Sequence, residues 1–109
     1  MEQRVEVHPD VDGVRVIACA GEFDGETLGP LRAACTVAAK APGVRRIVLD
    51  IAAMTFADSS MLNLMLLLLR SGRLVVAGPV PPQFGRVLDV TSARSLFLIA
   101  DGIEAARTR

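Results

Sequence analysis

The residues best placed to do chemistry are three in a row, Asp58-Ser59-Ser60, set between an apolar stretch and a leucine-rich one. Asp and Ser at such a junction accept hydrogen bonds from the first free amides of a helix, so the pattern predicts an N-cap. A serine hydroxyl there is also exposed at the positive helix end, where backbone N–H groups can hold a phosphoryl group. The two roles are compatible. Hydrolytic chemistry lacks partners. The one histidine, His8, lies beside Pro9 in a turn, and a Ser-His-Asp arrangement would need it to reach Ser59 or Ser60 with a third group behind it. His8 is therefore read as a solvated turn residue. Neither GxGxxG nor a GxxxxGKS/T cradle occurs, so nucleotide binding by a glycine-rich loop has no support. The carboxylates are dispersed. Cys19 and Cys35 cannot supply a four-ligand zinc site and are read as free, buried thiols. No metal and no cofactor is expected.

The elements that must position Ser59 follow from the hydrophobic pattern. Val5 and Val7 alternate with charges, and His8-Pro9-Asp10 with Asp12-Gly13 makes a turn into a second strand over 14–20. The short turn implies an antiparallel pair. Gly21-Glu22-Phe23-Asp24 breaks the pattern. Leu28, Leu31, Ala34, Cys35 and Ala38 then recur at helical spacing up to Lys40, before Pro42-Gly43. Residues 46–51 form a near-continuous apolar run, as in a strand buried on both faces of a parallel sheet. A helix runs from Asp58-Ser59-Ser60 to Ser71-Gly72, a strand covers 74–77, and Pro81-Pro82 opens a helix to about Val90. A short strand over 96–99 and a closing helical turn over 103–107 complete the chain. The expected fold is α/β: a single domain over 1–109, with a mostly parallel central sheet, one antiparallel edge strand and helices packed on it.

Composition narrows the partners. Twelve basic residues balance twelve acidic ones in 109 residues, and 51% of the chain is hydrophobic. A neutral chain with scattered bases lacks the footprint of a nucleic-acid binder and any polybasic patch for lipid. The polar N-terminus, MEQRVEVHPD, does not read as a signal peptide. The leucine-rich run over 62–69 is far short of the ~20 residues that cross a bilayer. No nucleic acid, no membrane and a cytoplasmic location are expected.

That leucine-rich helix is unusual. Met61, Leu62, Leu64, Met65, Leu66, Leu67, Leu68 and Leu69 exceed the apolar stripe that a helix needs to cover one face of a sheet. Either the helix is buried all round or part of it meets another protein. Total burial is hard to arrange in 109 residues, so a partner surface is expected, with Leu62, Met65 and Leu69 sharing one face.

Residues 21–24, 48–51, 56–62, 73–78 and 88–91, five segments in order, together resemble the STAS domain, found in sulfate transporters and anti-sigma factor antagonists. Gly21-Glu22-Phe23-Asp24 matches its G-E-L/I/F-D element, and Val48-Leu49-Asp50-Ile51 its V-L-D-L strand. Phe56-Ala57-Asp58-Ser59-Ser60-Met61-Leu62 matches F-x-D-S-S/T-G-L at a helix start. Arg73-Leu74-Val75-Val76-Ala77-Gly78 and Leu88-Asp89-Val90-Thr91 match its later strand and its L-x-L/V-T-G-L stretch. The resemblance runs from Val5 to about Ala106. Met61 stands where the family usually has Gly, and Asn63 where a second Gly is common. Met61 is expected at the mouth of the site.

The resemblance implies a free-standing bacterial anti-sigma factor antagonist, not an enzyme. In that family the antagonist binds an anti-sigma factor that is also a serine kinase, freeing the sigma factor. The kinase phosphorylates the Ser after the motif Asp, which breaks the complex, and a phosphatase resets it. Carried over by position, the acceptor is Ser59, with Ser60 the second choice, and Asp24 matches an acidic residue near it. The expected partner surface is Asp24, Asp58, Ser59, Ser60, Met61, Leu62, Asn63 and Met65. Two further readings compete: an unphosphorylated STAS interaction scaffold, and a small α/β enzyme using Asp58 and Ser59.

Overall fold

The computed structural model describes residues 2–109. Its five strands lie in the order β1-β2-β3-β4-β5: Arg4–Val7, Val14–Phe23, Arg46–Ala57, Leu74–Ala77 and Ile99–Ala100. β1 pairs antiparallel with β2, and the remaining neighbours are parallel. The helices are α1 (Gly29–Lys40), α2 (Ser59–Leu69), α3 (Pro82–Val90) and α4 (Ile103–Thr108). This is the α/β sheet with one antiparallel edge strand that the hydrophobic pattern predicts.

Because β2 to β5 advance in one direction across the sheet, right-handed crossovers put α1, α2 and α3 on the same face. The main core lies there: Ile17, Cys19, Ile47, Leu49, Ile51 and Val76 from the strands meet Leu31, Leu64, Met65, Phe84 and Leu88 from the helices. A smaller core on the opposite face joins Val14, Val16, Val48, Val75 and Ala77 to Ala106 of α4. Among the described residues no helix is long and apolar enough to cross a membrane.

Two strands run longer than the apolar runs suggest. β2 continues through Gly21-Glu22-Phe23, and β3 continues past Ile51 to Ala57, because their parallel pairing carries on to Phe23 opposite Ala57. Register shifts beside Ala18–Ala20 and Gly21–Glu22 interrupt the alternation that marks a strand in sequence. Gly21 has φ of +91°, and a Cβ there would lie 2.6 Å from the Glu2 carbonyl oxygen, so only glycine fits. The predicted strand over 96–99 is also corrected. Arg94–Leu96 forms a turn of 3-10 helix, and β5 is only Ile99–Ala100. The extra length of β2 and β3 has a functional result, since it carries the start of α2 to the rim of the sheet.

Candidate functional site

β3 ends in buried Ala57, and the chain turns at once into α2. Asp58 is the N-cap: its backbone is extended and its Oδ1 accepts from the Ser60 amide at 2.9 Å. Its carbonyl accepts from the Met61 amide at 3.1 Å, and its own amide donates to the Phe23 carbonyl. The cap is thus anchored to the end of β2. Ser59, the first helical residue, is exposed and its hydroxyl has no partner among the described residues. The predicted N-cap and free hydroxyl are both present.

Asp24 opens the turn that follows β2. Its Oδ1 accepts from the Glu26 amide at 2.9 Å, the Thr27 amide at 3.1 Å and the Thr27 hydroxyl at 3.1 Å. Such a carboxylate holds its own loop, in the manner of an Asx turn. The turn stands against Ser60 and not Ser59. A Cβ on Gly25 would lie 3.1 Å from Ser60 Oγ, so glycine allows this close approach. Ser60 is accordingly half-buried, which makes Ser59 the accessible hydroxyl of the pair.

On the other side of Ser59 lies α3. An open groove of about 430 Å³ runs there, lined by Asp58, Ser59, Gln83, Arg86, Val87, Val90 and Thr91. Gln83 clamps the strand end: its Oε1 accepts from the Ala57 amide and its Nε2 donates to the Ala57 carbonyl, each at 2.9 Å. Val90 is 85% exposed, an apolar side chain with no cover. Sequence reasoning placed none of these α3 residues at the site. One signal was present: Val90 falls off the stripe of Phe84, Val87 and Leu88 that an amphipathic helix turns to its core.

The leucine-rich helix requires a correction. Met61, Leu62 and Met65 are 0%, 5% and 1% exposed, so they are core and not partner surface, and Leu69 is half-buried. The reason is that α2 is covered from three directions, by β3 beneath it and by α1 and α3 beside it. Its all-round hydrophobicity is mostly interior; of its large apolar residues only Leu67 is plainly exposed. Met61 does not stand at the mouth of the site either. Two residues along a helix amount to a rotation of about 200°, which points Met61 inward when Ser59 points out. Asn63, by contrast, is exposed.

His8 is far from this chemistry. β1 is antiparallel, so His8 lies at the end of the sheet where β2 begins, its amide bonded to the Val16 carbonyl, whereas Ser59 follows the far end of β3. Its Nε2 is 3.4 Å from Glu6 Oε1. Cys19 and Cys35 are free and buried, and burial pushes the Cys35 thiol up to about 11 and Cys19 higher still. Among the described residues no three of His, Cys, Asp and Glu gather as metal ligands. Beside Ser59, one carboxylate oxygen of Asp58 serves the cap, and Gln83, an amide, cannot act as a base.

No family model and no curated protein sequence matches the chain. Solved structures do. An anti-sigma factor antagonist from Mycobacterium paratuberculosis is 25% identical with a TM-score of 0.82, over 98% of this chain and 92% of that one. The Bacillus cell fate determinant SpoIIAA in its phosphorylated form is 24% identical with a TM-score of 0.72, over 97% of this chain and all of that one. The anti-sigma factor antagonist SpoIIAA in its unphosphorylated form is 21% identical with a TM-score of 0.71, over 93% of this chain and 91% of that one. The chain therefore has the STAS fold of the SpoIIAA-type anti-sigma factor antagonists.

Proposed function

We propose that this protein is an anti-sigma factor antagonist whose binding to an anti-sigma factor serine kinase is switched by phosphorylation of Ser59. The observation that carries the reading is the state of Ser59 itself. It is exposed at the first position of α2, its hydroxyl has no partner among the described residues, and it is flanked by an open groove with uncovered valine. A solved relative of the same fold is a phosphorylated SpoIIAA, which favours the same use of the serine here. In the transfer step the γ-phosphoryl of ATP moves to Ser59 Oγ and ADP departs. The hydroxyl proton goes to the kinase's own base. Asp58 holds the start of α2, and with it the acceptor, in place and need donate nothing.

The partner surface in this reading comprises Asp24, Asp58, Ser59, Ser60 and Asn63 with Val87 and Val90 across the groove. The α3 wall of the groove is apolar at Val87 and Val90, which suits docking. A phosphoryl group adds about −1.5 to −2 charges, which a docked partner would have to desolvate beside Val87 and Val90. Binding is lost, the sigma factor is recaptured, and a phosphatase restores the antagonist.

The test is incubation with candidate anti-sigma kinases and ATP, read by intact mass on the native chain and on Ser59→Ala. One phosphoryl group on the native chain and none on Ser59→Ala supports the proposal. Kinase binding without modification, or modification surviving in Ser59→Ala, rejects it in favour of an unphosphorylated scaffold or a different acceptor.

A further inference from the structure

We propose that Arg86 is the cation that receives the phosphoryl group of Ser59, forming an ion pair that bridges α2 and α3 and closes the groove between them. The inference rests on Ser59 being the acceptor and adds what the modified form does. It begins from the donors lining the groove. Gln83 spends its amide on Ala57, and the Thr91 hydroxyl donates to the Val87 carbonyl at 2.7 Å. Asp58 is an acceptor already used by the Ser60 amide, and its charge opposes a second anion beside it. At the helix end only the Ser59 amide is without a partner among the described residues, because the Ser60 and Met61 amides are both taken by Asp58. Arg86 is the cation of the groove. It lines the same groove, is exposed, and makes no hydrogen bond or ion pair among the described residues.

The arginine just beyond α3 is committed. Arg94 pairs with Asp89 and also donates to the Gly85 carbonyl. Arg86 follows Gln83 by three residues, so the two share one face of α3, and Gln83 already touches Ala57, two residues before Ser59. A guanidinium presents a planar fork of donors that matches phosphate oxygens two at a time, which a lysine would not reproduce. Pairing draws the Arg86 side chain across the rim between Ser59 and Val87. The switch would then act twice on a partner: once by charge, and once by covering the apolar wall.

Phosphoserine installed at position 59 by genetic encoding tests this without any kinase, with ³¹P NMR following the second ionisation of the phosphate. The charged groups lining the groove with it are Asp58 on its own cap and Arg86 from α3, while Asp24 and Glu26 belong to the turn that stands against Ser60. The native chain should ionise at lower pH than Arg86→Gln by roughly 0.2–0.7 unit, the range for an exposed pair. Arg86→Lys should fall between. Arg32→Gln, which removes an equally unpaired arginine from α1, should match the native chain. Equal values for native and Arg86→Gln overturn the proposal, as does an equal shift in Arg32→Gln. Whether a kinase modifies Ser59 is read separately by mass, so a failure of that reading and a failure of the ion pair are distinguishable.

Discussion

Gln83 holds Ala57 by both of its backbone groups, accepting from its amide and donating to its carbonyl at 2.9 Å each. One side chain on α3 thus completes the pairing of the strand end from which Asp58 and Ser59 emerge. Gln83→Ala would leave the Ala57 groups without partners in a partly buried place. It should cost about 1–3 kcal/mol, read from the urea midpoint. Hydrogen exchange at the Ala57 amide should accelerate more than at Leu49 in mid-strand. Unchanged exchange would show that the clamp does not hold the site.

Leu62 and Leu67 should respond oppositely to charge. Leu62 is 5% exposed and Leu67 54%. Leu62→Lys should unfold the domain, because a buried unpaired ammonium is costly. Leu67→Lys should stay within about 0.5 kcal/mol of the native chain, as surface changes do. Circular dichroism on heating separates them, and a folded Leu62→Lys would contradict the interior placement of α2.

Asp58→Ala removes the side chain that satisfies the Ser60 amide, and should cost about 0.5–2 kcal/mol in denaturant unfolding. Asp58→Asn, which keeps an accepting oxygen, should recover most of that loss. If both variants match the native chain, the cap is not holding the start of α2.

The two thiols give a pH prediction. Burial raises the Cys35 thiol from 9.0 to about 11, and Cys19 shifts in the same direction. A group whose folded pKa is raised contributes stability that is complete below its unfolded pKa and lost as pH rises through the folded one. Stability should therefore fall between about pH 9 and 11, and Cys35→Ala should flatten that slope. At pH 8 neither thiol should react with an aromatic disulfide reagent until the chain unfolds. Rapid native labelling would contradict the burial.

Much of this molecule is legible in its residues, for identifiable reasons. The buried strands at Ile47–Leu49 and Leu74–Ala77 and the cap at Asp58 announce themselves, since each depends on local pattern and local hydrogen bonding. The second half of β3 does not. Ala52 and Ala53 carry little strand signal, and what keeps the stretch extended is the pairing of Ala53, Met54, Phe56 and Ala57 with β2. The placement of α2 was likewise hidden, because one helix's composition cannot say whether its second apolar face meets another protein or its own α1 and α3. Gln83 and Arg86 are further examples. Their importance comes from α3 lying beside the end of β3, a relationship between segments that no spacing within either one encodes.

The central claim is that Ser59 is the switch. Its most direct test compares binding of Ser59→Ala and Ser59→Asp to the cognate anti-sigma kinase by calorimetry, with circular dichroism as the fold control. Both variants should fold like the native chain, since position 59 is exposed and its hydroxyl has no partner among the described residues. The account predicts that Ser59→Ala binds as the unmodified chain does and resists modification, while Ser59→Asp binds at least tenfold more weakly, a loss of about 1.4 kcal/mol. Equal affinities for the two variants would contradict it.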